Sequence, residues 1–242
     1  MLPQTSIRAG VIGFGYWGPN LARNIAACPF MELVAIADLD HERRTAARRA
    51  YPGVEVDSDA DALMQRDDID LIVIATPPKT HFELAAAAVA VGKHVLVEKP
   101  FVTEVSQAEE LVASAAAAGV HLFVDHTFLF TGAVRHIRED LLSLGDLLYY
   151  DATRTNLGTF QTGTDVLWDL APHDFSILLS LVDQPLERIA AMGASHAASP
   201  GPTMAYVTLR FAGGLLAHLH LNWMAPAKVR RTIIGGSRKM LV

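Results

Sequence analysis

The sequence predicts an α/β protein in two parts: a doubly wound parallel sheet first, then an α+β domain with an open, mainly antiparallel sheet. Three observations predict it. Over residues 7–125 short β-rich runs alternate with longer helical patterns, the rhythm of parallel strands joined by crossover helices. After Asp125 that rhythm stops. Further on, apolar alternation over 205–211 and 215–223, joined by Ala212-Gly213-Gly214, describes an antiparallel hairpin with one buried face. The domains are therefore read as 1–125 and 126–242. A chain of 242 residues that is 51% hydrophobic has material enough for both cores.

In the first part, strands are expected at 8–13, 33–38, 71–75, 94–97 and 121–124. Helices are expected at 17–27, 42–50, 81–91 and 106–118, two of them closed by Gly92 and Gly119. The second part should hold a helix near 133–142, a strand near 147–154 and a helix after Pro172. The hairpin, a strand at 230–234 before Gly235-Gly236 and a strand onset at 239–242 follow it. Residues 197–202 read as a surface loop. No internal repeat or long low-complexity linker interrupts the chain.

With a formal charge of −6, there is no basic field to attract a nucleic-acid backbone or an anionic membrane. Met1-Leu2-Pro3-Gln4-Thr5 lacks the pattern of a secretory signal, and the apolar stretches 84–91 and 215–221 are too short to cross a bilayer. Cys28 is the single cysteine and reads as a buried structural thiol. A cytoplasmic protein is expected.

Gly13-Phe14-Gly15-Tyr16-Trp17-Gly18 follows a strand and opens a helix, the context in which G-x-G-x-x-G is a Rossmann dinucleotide fingerprint. The first glycine permits the turn, the second admits the pyrophosphate and the third lets helix and strand pack closely. Backbone N–H groups near Tyr16 and Trp17 would face the phosphates, helped by the helix N-terminus. Asp38 ends the second strand, where a carboxylate accepts from ribose hydroxyls and favours NAD over NADP. Arg43 and Arg44 could offset that charge by turning inward. A residue that simply starts a turn is the plainer alternative for Asp38, and a methyltransferase can present the same pattern.

Thr76 and Pro77 follow a buried strand; they line the dinucleotide or form a proline-stiffened turn ending at Thr80. Glu98-Lys99-Pro100 puts an ammonium and a carboxylate at the same ligand-facing sheet edge. A lysine there can stabilise a developing alkoxide, with Glu98 holding it or touching the nicotinamide ribose. A surface salt bridge is the plainer alternative.

In Trp168-Asp169-Leu170-Ala171-Pro172-His173-Asp174, the proline suggests a helix beginning near Asp169 or Leu170. Asp169 and His173 then share one face, a base with a carboxylate to orient it. A helix cap and a packing histidine are the alternative reading. Ten histidines include His218 and His220 on one strand face, and Asp125-His126 and His173-Asp174 are possible ligands. No spacing resembles a zinc framework, so no metal is expected.

In this order, Gly13 to Gly18, Asp38, Ala75-Thr76-Pro77-Pro78 with His81, Glu98-Lys99-Pro100 and Asp169-x-x-x-His173 resemble the glucose-fructose oxidoreductase and inositol dehydrogenase family, Gfo/Idh/MocA. The resemblance covers nearly the whole chain and removes the methyltransferase alternative. It implies hydride transfer between nicotinamide C4 and a hydroxyl-bearing carbon of a sugar or cyclitol. Lys99 then orients the hydroxyl, His173 acts as base or acid and Asp169 assists. The implied cofactor contacts are Gly13, Phe14, Gly15, Tyr16, Trp17, Gly18, Asp38, Thr76, Pro77, His81, Glu98 and Lys99.

The runs Arg154-Thr155-Asn156-Leu157-Gly158 and Asp125-His126-Thr127-Phe128 resemble the branch acting at C3 of nucleotide-linked sugars. On that basis His126, Arg154 and Asn156 join Lys99, Asp169 and His173 as expected substrate contacts. Arg154 and Asn156 share a strand face and could grip a carboxylate, hydroxyl or acyl group, or be ordinary solvated strand-end residues. Family members usually run longer than this chain, so the second domain reads as incomplete at its C-terminus, in a fragment or a reduced member. The resemblance implies a homodimer or homotetramer assembled through the open sheet face. The alternative function is a non-catalytic or regulatory NAD-binding protein, against which Lys99, Asp169 and His173 together argue for an enzyme.

Overall fold

A computed structural model describes residues 6–157, 164–196 and 201–242. The chain divides into two units, Met1–Asp125 and His126–Val242.

In the first unit the chain runs β1 (Ile7–Ile12), α1 (Gly18–Ala27), β2 (Met31–Ala37), α2 (His41–Ala50), β3 (Glu55–Asp57) and α3 (Ala60–Met64). It continues through β4 (Leu71–Ile74), α4 (His81–Ala90), β5 (His94–Val97), α5 (Val105–Ala118) and β6 (Leu122–Val124). The sheet is parallel, in the order β3-β2-β1-β4-β5-β6. All of Leu71, Ile72, Val73 and Ile74 are buried, as a central strand covered on both faces requires. Strand order reverses between β1 and β4, so the carboxyl ends of these strands form the switch point where open α/β sheets take ligands.

Elements β3 and α3 went unanticipated. With three and five residues, they are too short to display a period. Cys28, expected to be buried, is half-buried just beyond α1, where its N–H caps the helix on the Ile25 carbonyl.

The second unit contains α6 (Gly132–Asp140), β7 (Leu147–Leu157), α7 (Val166–Leu181), β8 (Leu186–Ala194), β9 (Met204–Phe211), β10 (Leu216–Asn222), β11 (Met224–Gly236) and β12 (Met240–Leu241). The sheet order is β12-β11-β7-β10-β9-β8, with β7–β10 the parallel pairing in an otherwise antiparallel set. Alternate residues Ala205, Val207, Leu209 and Phe211 of β9 and Ala217, Leu219 and Leu221 of β10 cluster with Leu170, Ile177, Leu178 and Leu181 of α7. The opposite face carries His218 and His220, on which Tyr206 stacks, and Asp151, which pairs with His218 at 3.2 Å.

Helix α7 corrects the expectation of a start near Asp169 or Leu170. Asp165 caps it, accepting from the N–H groups of Leu167 and Trp168 at 2.9 and 3.0 Å, and Pro172 lies inside. An interior proline costs about 3 kcal/mol. Each well-buried Leu or Ile returns about 1.5–3 kcal/mol, and this helix buries Leu170, Ile177, Leu178 and Leu181.

Met1–Thr5, Gly158 and residues 197–200 of the expected loop lie outside the described residues. Among the described residues, no helix is long and apolar enough to cross a membrane.

Candidate functional site

The loop from β1 into α1 is shaped by its glycines. Gly13 has φ +97°, and a Cβ there would meet the Ala75 carbonyl oxygen at 2.7 Å. A Cβ on Gly18 would fall onto the carbonyl of Gly13. Either side chain would push the loop off the sheet end. The N-terminus of α1 has no side-chain cap and no acidic residue in its first turn, so its N–H groups and partial positive charge stay available to an anion. Tyr16 is exposed beside it, and Trp17, at the N-cap, is partly so.

Asp38 is buried just beyond β2. Its carboxylate accepts from the N–H of Phe14 at 2.6 Å and of Asp40 at 2.8 Å. It thus ties the glycine loop to the strand end and still has lone pairs for a ribose hydroxyl. The Arg43 guanidinium lies 3.9 Å from this carboxylate. Arg44 is committed to the carbonyl oxygens of Asp38 and Leu39, at 2.8 and 2.7 Å. An uncapped helix end, two positions closed to any Cβ and an acid just beyond the second strand fit a dinucleotide.

At the end of β4, the Thr80 hydroxyl donates to that of Thr76 at 2.8 Å, and Pro77 is exposed. His81 requires a correction. Expected to touch the cofactor, it is fully buried, with Nδ1 2.9 Å from the Pro100 carbonyl and Nε2 2.9 Å from the Thr76 carbonyl. As the first residue of α4, it points inward between the loops after β4 and β5 and braces them.

Glu98 and Asp125 follow neighbouring strands, joined where the Asp125 N–H donates to the Val97 carbonyl at 2.8 Å. Burial first, and the Asp125 carboxylate second, push Glu98 up to about 8. Glu98 Oε1 and Asp125 Oδ2 are both sealed from solvent without another donor, the environment in which a carboxyl resists ionisation. The other Glu98 oxygen accepts from the Lys99 N–H at 3.1 Å. Half-buried Lys99 is thereby anchored at the end of β5.

In the second unit, Asp169 lies in the first turn of α7 and accepts from Trp223 Nε1 at 3.1 Å. His173 follows one turn later on the same face, its ring edge-on to Phe128 with centroids 4.8 Å apart. His126 is half-buried immediately before the 3₁₀ turn Thr127–Phe130 that carries Phe128. Asn156 continues the Arg154 face of β7 and is half-buried.

Arg154 also requires a correction. Expected to grip substrate, it is buried, and its Nε and Nη2 each donate to Asp174 at 2.8 Å. Its guanidinium lies 4.4 Å from the Phe128 ring centroid. The partner comes from α7 across the fold, with no local pattern to announce it. Asp174, Trp223 and the pairing of Asp125 with Glu98 were missed for the same reason. Among the described residues no group of three or more His, Cys, Asp or Glu side chains is placed to hold a metal ion.

The doubly wound sheet and its glycine loop define a dinucleotide-binding domain of the Rossmann class. Residues 7–126 match the oxidoreductase family with an NAD-binding Rossmann fold, and residues 119–242 match the GFO/IDH/MocA C-terminal domain. The chain belongs to the GFO/IDH/MocA family and is an NAD-binding oxidoreductase. It is 32% identical to the uncharacterized oxidoreductase YdgJ of Escherichia coli (strain K12), over 96% of this chain and 70% of that protein. It is 30% identical to the UDP-N-acetylglucosamine 3-dehydrogenase of Acidithiobacillus ferrooxidans, over 93% of this chain and 70% of that one. The crystal structure of GenD2 from gentamicin A biosynthesis, in complex with NAD, shares the fold with a TM-score of 0.91 at 24% identity. That match covers 98% of this chain and 71% of GenD2.

Proposed function

We propose that this oxidoreductase interconverts a secondary alcohol and a ketone on a sugar, at C3 of a nucleotide-linked sugar. The observation that carries the reading is Asp169 and His173 on one face of α7, with Asp169 held by Trp223. The similarity to a UDP-N-acetylglucosamine 3-dehydrogenase supports the substrate class.

In the oxidative direction, NAD held at the glycine loop of residues 13–18 and at Asp38 would supply the hydride acceptor for the carbinol carbon. His173 takes the hydroxyl proton, Asp169 orients the imidazole, and the Lys99 ammonium hydrogen-bonds the oxygen as it becomes alkoxide-like. Alcohol and oxidised cofactor thus become ketone, reduced cofactor and one proton. Gly13 to Gly18, Asp38, Thr76, Pro77 and Glu98 form the proposed cofactor surface, and His126 and Asn156 are proposed substrate contacts. The uncovered face of the second sheet is proposed to carry assembly into a homodimer or homotetramer, which sedimentation velocity reads as mass. A cytoplasmic location is proposed with it, read by fractionating cells that express the chain.

The test is NADH formation across nucleotide-linked sugars, uronates, free aldoses and inositols, with Lys99→Ala in parallel. Substrate-dependent NADH that Lys99→Ala reduces by about 10²-fold or more, with NAD binding retained, supports the assignment. Unchanged turnover in the variant removes Lys99 from the mechanism. Turnover of inositols alone would replace the nucleotide-sugar reading by a cyclitol one.

A further inference from the structure

Arg230 lies on β11 directly opposite Arg154 on β7. Residues opposite one another in an antiparallel pair project from the same face, and like charges so placed repel. Among the described residues, the carboxylate acting on both guanidiniums is Asp174, and Arg154 occupies it through two parallel hydrogen bonds. None of the ion pairs among the described residues involves Arg230. Its guanidinium instead sits 5.2 Å from the centroid of Phe128, the same ring that meets the His173 imidazole edge-on. One aromatic side chain thus touches both a surplus cation and the imidazole assigned to proton transfer.

We propose that Arg230 grips an oxyanion of the substrate, so that the sugar carries a carboxylate or a diphosphate close to the reacting carbon. The inference rests on the sugar-oxidoreductase reading above. It transfers to Arg230 the anion-gripping role that Arg154 cannot perform, since the fork of Arg154 is already filled. Arg230 is solvent-accessible, while burial and the neighbouring Arg154 pull it below the usual arginine range. A planar fork with unspent donors beside a like charge gains from an incoming anion twice. It makes charge-assisted hydrogen bonds, and the repulsion from Arg154 is offset. A neutral cyclitol offers neither gain.

Calorimetric binding to the NADH-loaded chain tests this without requiring turnover. The ligands are glucuronate, UDP-glucose, UDP-glucuronate and myo-inositol, each with the wild type, Arg230→Gln and Arg230→Lys. At least one anionic sugar should bind the wild type about tenfold or more tightly than myo-inositol. Arg230→Gln should weaken that binding by on the order of 10- to 100-fold, as expected for a lost charge-assisted pair, and leave inositol binding within about twofold. Arg230→Lys, which keeps the charge and loses the fork, should fall between. A response to glucuronate assigns the carboxylate; a response to UDP-glucose without glucuronate assigns the diphosphate.

Arg230→Gln relieves a cross-strand repulsion, so it should melt no lower than the wild type, whereas a structural role would lower its Tm. Should Gln prevent folding, the Lys variant carries the comparison. Equal binding of anionic sugars by wild type and variants, or no preference for them over myo-inositol, overturns the proposal. Arg230-dependent binding without NADH formation from any ligand would overturn the dehydrogenase reading and leave this assignment standing.

Discussion

Each unit buries charge beside its candidate site, but the compensation differs. In the first, Glu98 and Asp125 place two acids together at neighbouring strand ends, and burial with the Asp125 charge pushes Glu98 up to about 8. In the second, Asp174 meets Arg154 with two hydrogen bonds of 2.8 Å and both groups stay charged. Two buried acids depend on Glu98 resisting ionisation, whereas a filled opposite-charge pair is structural. The roles expected of Arg154 and Glu98 therefore separate: one is committed to the core, the other is poised at the sheet edge next to Lys99.

The largest effect that would break this comparison is expected at Asp174. Asp174→Ala strands the Arg154 cation, already opposite Arg230, and should cost about 3–5 kcal/mol, as for other broken buried pairs. Urea denaturation measures it. A loss below about 1 kcal/mol would mean that solvent reaches Arg154 and that the pair is not structural.

A smaller effect is expected at Asp38. Asp38→Ala removes the acceptor for the Phe14 and Asp40 N–H groups, and with it the proposed ribose contact. NADH binding, followed by fluorescence titration, should weaken about tenfold or more. NADPH should lose less, because a like charge next to its 2′-phosphate also disappears. Equal losses for both cofactors would limit Asp38 to holding the loop.

The smallest effect is a slope. Glu98 is raised from 4.5 to about 8, so between those values the folded chain holds a proton that the unfolded chain has released. This contribution therefore makes stability fall as pH rises through that window, by at most about 1.4 kcal/mol per pH unit. Asp125→Asn removes the neighbouring charge and leaves the burial, so thermal melts across this range should show a shallower decline. An unchanged slope would show that the Asp125 charge does not act on Glu98.

The first unit was largely legible because its features are local. Gly13, Gly15 and Gly18 sit within six consecutive residues, and their requirement for missing side chains is a property of one turn. The strands around them are continuous apolar runs, although β3 and α3 were too short to register. In the second unit the hairpin of β9 and β10 could be read from alternation, and Asp169 and His173 from helical spacing. The start of α7 was misplaced because Pro172 is a strong local signal that burial overrides. Arg154 looked available because its partner, Asp174, lies twenty residues away, and nothing in the strand itself records the pairing.

The sequence alone determined the doubly wound first half, the glycine loop after its first strand and the carboxylate at the end of its second. Each depends on short-range sterics or on the period of a single element. Only the tertiary structure decided that His81 is a brace, that Arg154 is spent on Asp174, that Glu98 is buried beside Asp125 and that Arg230 is the cation left over. Those outcomes depend on which groups meet after elements distant in sequence have packed, and on how much water is removed when they do. Both are properties of the assembled interior.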